Sequence, residues 1–535
     1  MAQGYLALIL HSHLPYVRHP EYTDCLEEEW LFQAVSECYA PLSAMLRRLE
    51  RDDVPGSLAI SFSPTLCEML RDHLLRERCK RYIEDRRELT EKEVRRLAGT
   101  PYEDTARMYR QHYRMLCKDF VHDENLELLK GFAELEDAGR VELMTTAATH
   151  ALLPLTSTPE SRAAQVEIGC RNFHRHFGHR PSAIWLPECG YHPGLENAVA
   201  DSSLKTFFVD SHAALLAQPR PRAGVFRPFE TPSGAVACAR DAASSRDVWS
   251  KDEGYPGHPA YREFYRDAGH DADYHYIEPH LHEDGVRRPV GMKYHRITGP
   301  AKALDQKEPY DPAAAAEQAR QHARHFVRRR LAQMERIQPY CDAPPVAVAP
   351  YDTELFGHRW LEGLTFLETA FRTVAQHGDK LALTTPSRYL SDFPAVDRCQ
   401  PGTSSWGFGG FFELWIEPSN DWIYPRLHEA EEQMVRLARQ FPSASALQRR
   451  ALDQCAREML LAQASDWPFL MSVGSFEEYA AQRVRRHLKT FKTLHREIIQ
   501  DTIDGEYLSR VEAQDNVFPE MDYRVFEGAP AEQRD

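Results

Sequence analysis

Seven short apolar runs, each stopping at a residue capable of chemistry, constrain this chain most. Leu6 to Leu10 ends at His11, Leu58 to Phe62 at Ser63, and Val141 to Met144 at Thr145. Ala183 to Leu186 precedes Glu188, Phe207 to Val209 ends at Asp210, Val346 to Ala349 precedes Asp352, and Leu381 to Leu383 ends at Thr384. A strand with one wet face alternates apolar and polar residues. A run apolar throughout has both faces covered, as in a parallel sheet flanked by helices. Helical stretches lie between several runs; Asp311 and Pro312 mark the start of one that extends to Ile337. This order predicts an α/β barrel, in which residues just past the carboxyl ends of the strands converge on one mouth.

Two stretches depart from that rhythm. Residues 66–135 include RDHLLRERCKRYIEDRRELTEKEVRRL, densely charged with apolar residues at helical spacing, and are expected to form a solvated helical insertion. Beyond about residue 400 the strand signal fades. Leu427 to Phe441, Ala446 to Ala464 and Phe476 to Ile499 read as amphipathic helices, and Gly528 to Asp535 as a frayed tail. The expected organisation is a barrel over 1–400, its insertion over 66–135, and a helical domain over 401–535. A length of 535 residues with 42% apolar content supports two or three such units.

Charge narrows the partners. A formal net charge of −15 argues against nucleic acid and anionic membrane surfaces, which select for a positive field. The apolar start, Tyr5 to Leu10, is too short for a membrane span and lacks a basic leader. Eleven cysteines without a CxxC pair are expected to be free thiols in a cytoplasmic protein. Monomer and homodimer are both compatible with the sequence.

Among the strand-end residues, His11 and His13 sit two apart and would share a face in extended chain. His150, Glu188 and Asp352 follow later strands. Two carboxylates at one barrel mouth are what glycoside cleavage requires, one to protonate the departing oxygen and one to attack or to guide water. Two histidines with an aspartate carry a rival meaning, a metal site of the kind used by polysaccharide deacetylases. Trp406, Trp415, Trp422 and Trp467 follow the barrel, the first within the glycine-rich SSWGFGGFFELW; Trp406 is the best candidate to stack on a sugar ring.

At these segments the sequence resembles glycoside hydrolase family 57, and within it the 1,4-α-glucan branching enzymes. The matching blocks are HSHLPYVRHPE, ELMTTAATHALLP, WLPECGYHPG, APYDTELFGHRWLEG and SSWGFGGFFELW followed by NDWIYPRLHEAEE, with ARDAASSRDVWSKDEGYPG and QASDWPFL in support. The resemblance implies an incomplete (β/α)7 barrel with an inserted helical domain and a C-terminal helical domain. It implies Glu188 as nucleophile and Asp352 as general acid/base. It places His11, His13, His150, Arg240, Trp249, Gly257, Trp406 and Asp466 along the sugar subsites, with no metal or cofactor. The implied substrates are donor and acceptor α-glucan chains such as amylose and glycogen. Departures are Ala148 in place of a glycine, Arg359 in place of a tryptophan, and the lack of any tyrosine between Asp210 and Glu253, where some branching enzymes carry one on a mobile loop. An α-amylase-type retaining hydrolase of the same family is the alternative reading.

Overall fold

The structure is a computed structural model that describes residues 2–250, 253–299 and 301–528. Of the expected tail, residues 529–535 lie outside that range, as do Lys251 and Asp252 of the WSKDEGYPG motif. Nine strands form one sheet: β1 (Gly4–Ser12), β2 (Leu58–Phe62), β3 (Val141–Thr146), β4 (Ala183–Trp185), β5 (Thr206–Val209), β6 (Phe229–Glu230), β7 (Val236–Ala239), β8 (Val346–Asp352) and β9 (Leu381–Leu383). Their order is β6-β7-β5-β4-β3-β2-β1-β8, parallel except for β6 against β7. A single parallel bridge, Arg240 with Val348, joins the end of β7 to β8, so that seven strands make a ring closed at one point.

This is the expected (β/α)7 barrel, with one exchange of strands. The run Leu381–Leu383 pairs with the start of β1 at Gly4–Leu6, beside the segment that pairs with β2, and stands outside the ring. Its place is taken by Val236–Ala239, which the sequence reading passed over. That strand is built of small residues, and its hydrophobicity is correspondingly faint.

Every residue of β1 is buried, on two different sides. Leu6, Leu8 and Leu10 pack with the surrounding helices, whereas Tyr5, Ala7 and Ile9 join Ala59, Met144, Ala183, Trp185, Phe208, Cys238 and Val348. With a side-chain period of two, this second set is the ring's interior, and His11 continues it upward to the mouth. Trp185 fills the space left by so many small neighbours, and Trp406 packs on the same cluster from above.

The segment between β2 and β3 forms helices Pro64–Arg71, His73–Arg96, Glu103–Leu116 and Leu128–Asp137. The charged helix is solvated on one side only: it buries Arg78, Arg86 and Glu93 along with Leu75, Ile83 and Leu89. The covering layer comes from the chain between β7 and β8. Tyr276 donates to Glu93 (2.8 Å), Arg86 to the His280 carbonyl (3.1 Å), Tyr109 to that of Lys293 (3.1 Å) and Thr105 to that of Tyr310 (3.0 Å).

Helices Tyr424–Gln440, Ala446–Ala462, Asp466–Ser472 and Glu477–Gln500 follow the barrel, the second started by a Ser445–Gln448 capping box. They reach its mouth through Thr149, which donates to the Leu460 carbonyl (2.5 Å), and through Ser465, whose N–H donates to the His150 carbonyl (3.1 Å).

Candidate active site

Glu188 and His150 both stand on left-handed backbone, with φ of 60° and 57°. Non-glycine residues there are strained and persist only where their surroundings hold them. Here the chain beyond the barrel does so: the Trp406 N–H donates to the Glu188 carbonyl (2.9 Å), and Tyr191 bridges Ser404. The turn Pro187–Cys189 thereby lifts the Glu188 side chain over the barrel mouth.

Its carboxyl is gripped from two sides. The Trp406 indole N–H donates to Oε2 (2.7 Å) and the Ser465 hydroxyl to Oε1 (3.3 Å). Burial pushes this carboxyl up to about 7, with the Asp466 charge adding to the rise and the Trp406 and Ser465 hydrogen bonds and His13 opposing it.

The hydroxyl of Ser465, spent on Glu188, can only accept from His150 Nδ1 (2.8 Å). His150 Nε2 must then accept from His11 Nε2 (2.8 Å), and His11 Nδ1 from Ser61 (2.7 Å). Burial, together with the neighbouring histidines, holds both rings well below the usual histidine range and therefore neutral. The chain Ser61–His11–His150–Ser465 thus delivers one directed donor to the carboxylate. His13 stacks on His150 at 3.8 Å between centroids and bonds Ser63 (2.8 Å) and Asp466 (3.0 Å).

Asp352 ends β8 in register with His11. Its carboxyl has no hydrogen-bond donor among the described residues. Burial raises it well above the carboxylate range, and the charges of Glu354 and Glu188 add to this while Arg359 opposes it. One carboxyl is held by donors and the other is left bare, which suits an anion and a proton donor respectively.

Arg240 pairs with Asp210 (3.0 Å), and its guanidinium lies 6.0 Å from the centroid of the Trp406 ring. Trp249, 39% exposed, meets Trp406 edge-on at 6.3 Å. Gly257, itself exposed, ends the turn Tyr255–Gly257 beside the helix ending at Trp249, without a hydrogen bond to the Glu188 cluster among the described residues. Of the four tryptophans considered, only Trp406 reaches the mouth. Trp415 and Trp467 are buried in the core, and Trp422 lies between Arg426 (5.0 Å) and Arg485 (4.8 Å).

His13, His150 and Asp466 bring ligand-type atoms within 4.8 Å of one another. All six nitrogens of the three rings nevertheless have hydrogen-bond partners. A cation there would have to break the His13–Asp466 or His150–Ser465 bond that orders the carboxylates.

The model of glycosyl hydrolase family 57 matches residues 7–400, which include every strand-end residue from His11 to Asp352. The chain belongs to this family. A second model, for the C-terminal part of 1,4-alpha-glucan branching enzymes, matches residues 426–526. A 1,4-alpha-glucan branching enzyme of Thermococcus kodakarensis is 32% identical, over 96% of this chain and 77% of its own length. Among solved structures, the novel alpha-amylase AmyC of Thermotoga maritima is 40% identical with a TM-score of 0.92, covering 99% of this chain and 100% of its own. The branching enzyme of Pyrococcus horikoshii is 32% identical with a TM-score of 0.88, covering 99% and 97%.

For this family 57 chain, the geometry adds residues that the sequence reading did not single out: Ser61 and Ser465 in the donor chain, and Glu354 beside Asp352. The only signal for Glu354 was a second acid two positions after the first. Trp406→Phe is expected to retain the ring contact and lose the indole donor. A hydrogen bond to a charged group is worth about 1.5–3 kcal/mol, so kcat should fall roughly 10- to 100-fold. Because that bond favours the ionised carboxylate, the acid limb of the pH–rate profile should move to higher pH; an unmoved limb would remove Trp406 from this role.

Proposed function

We propose that this chain is a 1,4-α-glucan branching enzyme working by retaining glycosyl transfer, with Glu188 as nucleophile and Asp352 as general acid/base. The observation that carries this reading is the unequal treatment of the two carboxyls: Trp406 and Ser465 give Glu188 hydrogen bonds that favour its anion, whereas Asp352 has no donor among the described residues and burial favours its protonated form. Asp352 gives its proton to the oxygen of an α-1,4 bond while Glu188 attacks the anomeric carbon, forming a covalent glycosyl-enzyme. Asp352, now a base, takes the proton from the 6-hydroxyl of an acceptor chain. That oxygen displaces Glu188, and two inversions leave an α-1,6 branch.

Neutral His11 and His150, together with His13, Arg240 and Asp466, offer donors and acceptors to sugar hydroxyls. Transfer requires an acceptor to outcompete water. The rim formed by Trp249, Trp406, Phe411 and the 82% exposed Phe408 supports glucan binding there through ring faces. In this reading residues 401–535 complete the substrate cleft of the barrel, the 66–135 insertion stands beside it as a helical layer, amylose and glycogen serve as donor and acceptor, and no metal takes part. Eleven unpaired cysteines support a cytoplasmic setting, and no helix among the described residues is long and apolar enough to cross a membrane.

Incubation with amylose, followed by counts of α-1,6 linkages and new reducing ends, tests this directly. Branches should outnumber reducing ends. The reverse would assign the chain to α-amylase-type hydrolysis, a second reading favoured by the likeness to the Thermotoga amylase and by the lack of tyrosine between Asp210 and Glu253.

A further inference from the structure

The turn after β8 carries a carboxyl that the proposed reaction does not use. Glu354 is half-buried, and burial pushes it up to about 7. Its Oε1 accepts from the His13 backbone N–H (3.3 Å) and from the Tyr39 hydroxyl. One turn therefore touches the ends of β1 and β8 together, and Ser12 and Thr353 tie the same two ends at 2.7 Å.

Tyr39 closes a π-helical turn, Val35–Tyr39, inside an otherwise α-helical run from Glu28 to Arg51. Such turns re-aim side chains and recur at functional sites. Here three consecutive residues face one loop. Glu37 bonds His358 Nδ1 (2.8 Å), the Cys38 thiol donates to the Glu354 carbonyl (3.6 Å), and Tyr39 donates to the Glu354 carboxyl. Gly357 has φ of 115°, and a Cβ there would sit 2.0 Å from the Glu37 carbonyl oxygen, so only glycine permits the approach.

We propose that Glu354, with Tyr39 as its hydroxyl partner, is a positioning residue for Asp352: it fixes the turn bearing that carboxyl and sets a negative charge against it. This rests on Asp352 as the acid/base. The charged and titratable groups facing Asp352 are Glu354, Glu188, Arg359, Tyr39 and Cys189. Those facing Glu354 are Asp352, Tyr39, Cys38 and His13, with Glu37, His358, Arg262 and Lys293 in the layer behind. The charge of Glu188 disappears when it becomes an ester, whereas Glu354 takes no part in the bond changes and stays ionisable beside Asp352. Asp352 consequently remains a stronger base in the second step than an isolated carboxylate would be, which favours activation of a sugar hydroxyl.

The test compares pH profiles of kcat/KM on amylose for the full chain, Glu354→Gln and Asp352→Asn. Loss of a like charge makes Asp352 release its proton more readily, so the alkaline limb for Glu354→Gln should move to lower pH by roughly one unit. Asp352→Asn should be nearly inactive; if it turns over normally, the acid assignment fails and this inference with it. If Asp352→Asn is inactive while Glu354→Gln keeps the parental limb, the inference alone is overturned. Should Glu354→Gln not fold, Tyr39→Phe keeps the ring and loses the donor that favours the Glu354 anion. Its limb should move the same way by roughly half as much, and an unmoved limb overturns the inference equally.

Discussion

Glu188→Gln is expected to lose at least about 10⁴-fold in kcat if Glu188 is the nucleophile, as proposed, because no other carboxyl among the described residues has its place over the mouth between Trp406 and Ser465. The same variant should be more stable than its parent in mild alkali. Burial raises the Glu188 carboxyl from 4.5 to about 7, so between those values the folded chain holds a proton that the unfolded chain has released. Its contribution to stability is complete below pH 4.5 and is lost as the pH rises through 7. Above that, the ionised carboxylate costs the folded state about 3 kcal/mol relative to a neutral group. Glutamine has no charge to desolvate. Thermal unfolding at pH 8 should therefore favour the variant, and the difference should vanish near pH 4. A variant less stable than its parent at pH 8 would mean that this charge is structural.

Asp352→Asn should leave a different signature. On amylose the departing oxygen needs a proton, and loss of the acid costs about 10²- to 10⁴-fold. An aryl α-glucoside whose phenolate leaves unaided needs none, so its first step should survive. The glycosyl-enzyme then lacks the base that activates its acceptor and accumulates. A burst of phenolate and a covalent adduct seen by intact mass measurement are the expected results. Equal losses on both substrates, without adduct, would deny Asp352 its part in proton transfer.

The strands that carry these residues were legible in the sequence because two-sided burial writes itself as a mostly apolar run, as in β1, β4, β5 and β8, and in β2 and β3 with single breaks at Ser61 and Glu142. Val236–Ala239 is buried from its second residue on, but those positions hold Ala237, Cys238 and Ala239, whose small side chains leave little signal. The helix Pro312–Ile337 was visible to its ends because Asp311 caps it and Pro312 begins it. The insertion read as solvated because its charges dominate the sequence, although Arg78, Arg86 and Glu93 are buried with partners far along the chain.

Glu188 and Asp352 stood out through strand-end placement, yet their surroundings did not. Ser61, Tyr39 and Ser465 acquire meaning only where three distant segments meet. A π-turn leaves almost no trace in the residues that form it. Trp415 and Trp467 had the same outward credentials as Trp406, and only the packing separates the ring at the mouth from the two in the core.

Arg240 belongs to two accounts at once. It is the residue at which the ring of strands fastens to Val348, and its side chain lies against Trp406 at the mouth. Among the described residues the barrel is thus a hoop with a single clasp, and the clasp lies beside Trp406 at the mouth. Local opening begins where the fewest bonds hold a structure together, which in the function proposed above is also where a long polymer would bear on the protein. A glucan chain seated against Arg240 would fasten the hoop while being held by it.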